Sequence, residues 1–391
     1  ADMLALVKNL PASGKRLSIL PNSNYPAQTG FGLRYSNNAS YFAAKMLEIS
    51  SLGVYAVGGC CGTTPEHILQ VTSRIKGERE TYKSASDERR EQPVQNVRHS
   101  KLRSALESEK KLVAVELSPP ENTDMAFVTE SAAAVKRAGA DLVTLPDSPL
   151  ARPRADSFMT AARVMREVGI ETLPHLACRD KNRIAIQGQL IGANAERVQN
   201  VLVVTGDSIS KNNPADAVND KNVFNFNSFS LISYINSLND NLFAATPFHI
   251  AAALNVNAAN FDIELERALQ KEERGAALFL TQALFTDESV DCLRRAREVL
   301  RGKILAGILP IAGYKNAVFL NNEVSGMSIP QKLVDSLKDK SPEETKSISL
   351  DFCRSIIDRT GAFCDGYYIM TPRKKIDFVI ELITYIKAAQ L

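Results

Sequence analysis

The sequence predicts an α/β protein: a (β/α)8 TIM barrel preceded by an incomplete piece of a second (β/α)8 barrel. Three observations carry this expectation. Eight short β-rich runs recur at residues 112–115, 142–145, 172–176, 201–204, 248–253, 277–280, 304–309 and 367–369. Segments of helical period lie between most of them, such as Phe127-Val128, Ala132 and Val135, or Leu265 with Ala268-Leu269. Polar residues collect where the runs end, which is where this fold carries its chemistry. A doubly wound open sheet is the competing arrangement, but no Gly-x-Gly-x-x-Gly follows the first run.

The elements divide the chain into three parts. Residues 1–76 form an N-terminal piece ending in helical period. Residues 77–110 read as a charged linker, because Gly-Glu-Arg-Glu and Ser-Ala-Ser-Asp-Glu-Arg-Arg-Glu-Gln-Pro carry many charges and few apolar side chains, with a helical end at 102–110. Residues 111–391 hold the eight runs. A total of 47 basic and 44 acidic residues gives a net charge of only +3, which argues against a face built to neutralise nucleic acid. The longest apolar run, 276–285, is interrupted by Thr281-Gln282 and is too short to span a bilayer. The N-terminus has no basic segment followed by a long apolar core, and six cysteines are too sparse for a disulfide scaffold. The expectation is a cytoplasmic protein with no nucleic-acid or membrane partner.

In the first run, Val113-Ala-Val-Glu116-Leu-Ser-Pro-Pro120 ends in a carboxylate and is stopped by a proline pair. An acid there needs a site to face. The other runs end in Thr144 and Asp147, His175, Thr205-Gly206-Asp207, Asn255 and Asn257, and Gln282, so that a Glu, an Asp, a His and a Gln fall on one rim. Strand ends are polar by default, and a purely structural reading stays open at this point.

These motifs, in this order and spacing, resemble the flavin-dependent 5,10-methylenetetrahydrofolate reductases: Val-Glu116-Leu-Ser-Pro-Pro, Leu-Pro-His175-Leu-Ala-Cys-Arg-Asp, Val-Val-Thr-Gly-Asp207, Leu-Thr-Gln282-Ala-Leu-Phe-Thr-Asp and Gly-Ile-Leu-Pro-Ile-Ala-Gly-Tyr314-Lys. The resemblance runs from about 112 to 391. It implies an FAD-dependent enzyme that reduces 5,10-methylenetetrahydrofolate to 5-methyltetrahydrofolate with NADH or NADPH, supplying methyl groups for methionine synthesis.

Within that resemblance Glu116 matches the general acid that protonates the folate to open its ring, a role that needs a raised pKa. Asp207 matches the aspartate beside flavin and pterin, with a helix N-cap as its other reading. Gln282 matches the glutamine that holds folate and nicotinamide in turn, with a bland strand-end amide as the alternative. Thr144, Asp147, His175, Thr205, Gly206, Asn227, Ser228 and Lys271 fall on or near flavin-contact positions. Lys271 sits in the run Gln-Lys-Glu-Glu-Arg, so an exposed helix face competes with pyrophosphate binding; His175 could equally be a satisfied core histidine. Tyr314 is a candidate for stacking on a ring, and Arg373 for a folate carboxylate. Some relatives carry arginine where Thr205 stands and histidine where Asn257 stands. A non-catalytic folate-binding or assembly barrel is the alternative function, and a homo-oligomer is possible.

The N-terminal piece carries a different motif. Val-Gly-Gly-Cys60-Cys61-Gly-Thr-Thr-Pro-Glu-His-Ile, after Leu-Pro-Asn-Ser-Asn and Ser-Asn-Asn-Ala-Ser-Tyr-Phe-Ala, resembles the end of a zinc-dependent homocysteine S-methyltransferase barrel. Two adjacent thiolates can share one zinc, which activates a substrate thiol. No cysteine or histidine precedes Cys60, so the zinc site is incomplete, and homocysteine becomes a substrate only where the first barrel is completed. The pairing of the two resemblances implies a bifunctional fusion.

Overall fold

The computed structural model describes residues 2–10, 16–23, 27–29, 32–34, 38–75, 97–108, 110–206, 225–324, 326–372 and 374–389. The chain divides into two compact units, Ala1–Gln95 and Asn96–Leu391.

In the first unit, strands β1 (Ser18–Ile19) and β4 (Ala56–Val57) pair in parallel, and β2 (Ala27–Thr29) pairs antiparallel with β3 (Gly32–Arg34). Helices α1 (Asp2–Asn9), α2 (Ala39–Ser50) and α3 (Pro65–Arg74) accompany them. Its core is small: Val7, Ile19, Phe42, Ala43, Met46, Ile49, Val54 and Val71. The motif around the cysteines shapes the start of α3. The Thr64 hydroxyl and His67 Nδ1 lie 2.8 Å apart in a capping box, and the buried His67 ring packs edge-on against Phe42.

The second unit is a closed barrel of eight parallel strands. They are β5 (Leu112–Glu116), β6 (Leu142–Leu145), β7 (Glu171–Ala177), β8 (Asn200–Val204), β9 (His249–Leu254), β10 (Leu278–Ala283), β11 (Lys303–Ile308) and β12 (Gly366–Met370). Each strand pairs with the next in the chain, and β12 closes on β5 through Gly366 with Leu112, Tyr368 with Ala114 and Met370 with Glu116. All eight expected runs are strands in the expected order.

Alternation along the strands separates two cores. Leu112, Ala114, Leu142, Leu173, Leu202, Ala251, Leu278, Leu280 and Leu305 belong to the inner cluster, which fills the barrel. Val113, Val115, Val143, Val201, Val203 and Phe279 belong to the outer cluster, packed on helices such as α5 (Ala126–Ala138) through Val128, Ala132 and Val135. The strands are therefore apolar on both faces, as a parallel wall between a filled interior and a helical coat requires.

The helical end expected at 102–110 is α4 (Lys101–Leu106), which buries Leu102 and Leu106 in the inner cluster beside Leu112. Ser100 caps it, and Gln199 Nε2 donates to the Arg98 carbonyl at 3.1 Å. Its charges lie on the exposed face of an amphipathic plug. Residues 77–96 of that linker lie outside the described residues.

Helices α6 (Ser157–Val168), α7 (Arg183–Ala195), α8 (Ser228–Asn239), α9 (Phe261–Glu273) and α10 (Asp287–Val299) follow β6 to β10. After β11 the chain makes an excursion, α11 (Tyr314–Glu323) and α12 (Gln331–Ser336), before α13 (Pro342–Thr360); α14 (Ile376–Ala388) follows β12. Asn257 holds that excursion: its Nδ2 donates to the carbonyls of Ala283 at 3.0 Å and Gly326 at 2.9 Å. No helix among the described residues is long and apolar enough to cross a membrane.

Candidate functional site

The C-terminal mouth of the barrel gathers most of the polar strand-end residues. Glu116 ends β5, with Met370 of β12 on one side and Thr144 of β6 on the other. The Tyr368 hydroxyl donates to Glu116 Oε2, and the Thr371 hydroxyl donates to the Glu116 carbonyl at 2.6 Å. Burial pushes the Glu116 carboxyl above its ordinary value, and the Tyr368 hydrogen bond takes back part of that rise. Burial and the neighbouring carboxyl push Tyr368 well above the usual phenol range, so it remains a donor.

Tyr368 was missed by the sequence reading, although its signal was present. In a strand over 367–369 alternation sends Tyr367 and Tyr368 to opposite faces, and closure puts the inner one beside the first strand. Tyr367 indeed faces the other way: it lies in the outer cluster and donates to the Ile357 carbonyl at 2.9 Å.

Across the mouth, Gln282 is half-buried near the end of β10, at an irregularity where the pairing with β11 shifts between Leu280 and Ala283. The Thr281 hydroxyl accepts from Gly307 N at 2.8 Å and donates to the Gln282 carbonyl at 2.8 Å. A Cβ on Gly307 would stand 2.6 Å from the carbonyl oxygens of Thr281 and Gln282, so a glycine is required where the shifted strand passes.

His175 lies on the inner face of β7, only 8% exposed, and its Nε2 is buried without a hydrogen-bond partner. Burial lowers its pKa to about 4, with the Asp147 charge opposing. The strand position buries the ring, and among the described residues no side chain or backbone group meets Nε2. Asp147 accepts from Ala177 N at 3.1 Å and pairs with Lys181 Nζ at 2.7 Å. Gly206 (φ +88°) ends the next strand, where an added Cβ would lie 3.2 Å from the Cβ atoms of both Ala177 and Arg179. Thr205 beside it is exposed.

Other expected residues are engaged within the fold. Asn227 caps α8 by accepting from Ser230 N at 2.9 Å, and Ser228 is buried as the first residue of that helix. Lys271 is 6% exposed, which corrects the exposed-face alternative: it shares the buried face of α9 with Ala268, three residues earlier. Its ammonium donates to the Ala253 carbonyl at 2.7 Å and lies 3.8 Å from Glu264, while burial lowers its pKa. That pairing is an internal tether rather than an open anion site. Asn255 accepts from Asn257 N at 3.0 Å. Tyr314 begins α11 and is 38% exposed. Asp207 and Arg373 lie outside the described residues.

In the first unit Cys60 and Cys61 follow β4, both exposed, with their sulfurs 3.9 Å apart. Among the described residues no three metal-ligating side chains converge. Cys60 lines an open pocket of about 600 Å³ together with Thr63, Pro65, Ile68 and Thr72.

Comparison with known proteins follows the same division. The family model described as methylenetetrahydrofolate reductase matches residues 101–375, and that of homocysteine S-methyltransferase matches residues 1–75. A probable methylenetetrahydrofolate reductase (NADPH) of Caenorhabditis elegans is 23% identical over 233 residues, covering 58% of this chain and 34% of that protein. Methionine synthase of Mycobacterium leprae is 35% identical over 60 residues, covering 15% of this chain and 5% of that protein. The chain thus spans about a third or less of these relatives' lengths. Among solved structures, an uncharacterized Clostridium thermocellum protein that binds two copies of 5-methyl-5,6,7,8-tetrahydrofolic acid superposes with a TM-score of 0.52 at 14% identity, covering 74% of this chain and all of that one. At that identity the likeness speaks to the fold.

Proposed function

Because the chain belongs to the methylenetetrahydrofolate reductase family, we propose that its barrel reduces 5,10-methylenetetrahydrofolate to 5-methyltetrahydrofolate, with FAD relaying hydride from a reduced nicotinamide. The observation that carries this reading is Glu116: a carboxyl at the barrel mouth, its pKa raised by burial and held by Tyr368. Folate binding by the Clostridium thermocellum neighbour supports a pterin ligand in the same kind of barrel.

The chemistry asks for a proton before hydride. Opening the five-membered ring of the substrate requires protonation of the departing nitrogen, and a carboxyl whose pKa is raised by burial is suited to provide it. Tyr368 holds the Glu116 carboxyl and Thr371 the backbone carbonyl of the same residue, which fixes the strand end that presents the acid. Gln282 offers both a donor and an acceptor edge to a heteroaromatic ring, and the shifted pairing of β10 determines how it is presented.

The mouth also suits a flavin. The buried Nε2 of His175 has no hydrogen-bond partner among the described residues, which suits a nitrogen that meets a ligand. His175, Gly206 and Thr144 are the described residues that would help to hold the flavin. When bound, the flavin supplies hydride to the substrate carbon after taking it from the nicotinamide. Lys271 is not given a phosphate-binding role, because its ammonium is already tethered to Ala253 and Glu264.

The half-reactions separate the roles. Glu116→Gln should leave flavin reduction by NADH or NADPH within a few-fold of normal, while slowing flavin reoxidation by methylenetetrahydrofolate by roughly 10²-fold or more. Equal losses in both half-reactions would remove Glu116 from the folate step, and a protein that cannot be reconstituted with FAD would overturn the reading.

A further inference from the structure

We propose that Thr281 and Asn257 are positioning residues: their side chains hold two successive peptides of β10, and so fix the backbone that carries Gln282 to the barrel mouth. The irregularity in β10 comes from one extra residue. Toward β11, β10 advances three positions, from Leu280 to Ala283, while β11 advances two, from Leu305 to Gly307. Toward β9 it stays in plain register, from Leu278 opposite Ala251 to Thr281 opposite Leu254. The bulge therefore opens on the β11 side.

The packing shows the same change of phase. Leu278 and Leu280 lie in the inner cluster and Phe279 in the outer one, whereas beyond the bulge Ala283 and Phe285 are inner and Leu284 is outer. Strict alternation would have given the inner places to 282 and 284. Gln282 thus stands where the strand changes phase and its ladder is interrupted.

Side chains take over at that interruption. Gly307 N, which a regular parallel ladder would direct at a carbonyl of the next strand, donates instead to the Thr281 hydroxyl at 2.8 Å, and that hydroxyl donates to the Gln282 carbonyl at 2.8 Å. The ladder resumes where Leu284 N donates to the Gly307 carbonyl at 3.0 Å. In between, Asn257 Nδ2 donates to the Ala283 carbonyl at 3.0 Å, and Asn257 is itself held by Asn255 Oδ1, which accepts from its backbone N at 3.0 Å. Thr281 is 2% exposed, so water does not replace its bonds. A hydroxyl is the group this place needs, because it accepts and donates at once, and the β-branch limits its rotation. Valine has nearly the same shape and can do neither.

The consequence for binding rests on the reductase reading, in which Gln282 meets the folate; the clamp on the backbone does not. An amide that offers a donor and an acceptor edge in one plane is sensitive to the direction of the peptide that carries it. Thr281→Val should weaken the binding of 5-methyltetrahydrofolate to the FAD-loaded chain by about 10-fold, whereas Thr281→Ser should stay within about two-fold of the parent. Asn257→Ala should weaken it by about five-fold. Because both residues act through one amide, neither substitution should cost anything further in a Gln282→Ala background. A loss of the same size in that background, from whichever of the two variants folds, overturns the proposal. So does parent-like binding in Thr281→Val, or a loss in Thr281→Ser as large as in Thr281→Val. A parent chain that does not bind 5-methyltetrahydrofolate would sink the reductase reading and leave the clamp to hydrogen exchange at the Gly307 amide. In the ligand-free protein that exchange should quicken by about 10-fold or more in Thr281→Val and stay slow in Thr281→Ser, and equal rates in the two variants would overturn the clamp.

Discussion

Glu116 is a carboxyl whose environment works against its ionisation, and Tyr368 is the group that restrains that effect. Removing the hydroxyl in Tyr368→Phe takes away a hydrogen bond that favours the carboxylate, so the pKa of Glu116 should rise further. An acid is needed in its protonated form, so its activity falls as pH climbs through its pKa. In Tyr368→Phe the alkaline fall of the folate half-reaction should therefore move to higher pH, at a stability cost of about 1–3 kcal/mol. Stopped-flow reoxidation across pH measures it, and a limb that stays in place or moves to lower pH would show that Tyr368 does not tune the acid. His175 behaves in the opposite sense. Its pKa is depressed to about 4, so the folded protein binds fewer protons than the unfolded chain between that value and the ordinary 6.5. The stability it contributes is present above 6.5 and is lost as pH falls through that window.

At the scale of elements, the site depends on an irregular pairing as much as on regular strands. The shift between Leu280 and Ala283 is closed by Thr281, and it leaves no room beside Gly307 for a side chain. Gly307→Ala would press a methyl against two carbonyl oxygens and force β10 and β11 apart. A loss of about 1–3 kcal/mol is expected in urea unfolding, together with weaker folate binding, because Gln282 sits on the displaced strand. A stable variant with normal folate affinity would show that the shift does not present Gln282. The helices were easier to read than this feature. Periodicity marked α5 and α9 from sequence, and the same phase places Lys271 inward beside Ala268, a consequence hidden by its charged neighbours.

The whole molecule contains one unit with a full complement of strands and one without. The barrel closes on itself, with its interior filled from within and its floor plugged by α4. A chain of residues 97–391 should therefore fold and bind FAD, as judged by a cooperative melt and a yellow protein. The described part of residues 1–75 has nine buried apolar side chains and two short strand pairs, too little to offset the chain entropy, so alone they should show no cooperative melt. A sharp transition in that fragment, or its absence in the barrel, would reverse the assignment. The sequence by itself determined the number and order of the barrel strands, the acid at the end of the first, and the divided character of the chain. These are local properties: period, alternation and composition repeat within a few residues. Only the tertiary structure decided that Tyr368, 252 residues away in the chain, holds Glu116, that Lys181 reaches Asp147 from the next loop, and that Lys271 is tethered inside. Barrel closure is the reason. It brings the last strand against the first and sets the register across the wall, and side-chain partners follow from register rather than from distance along the chain.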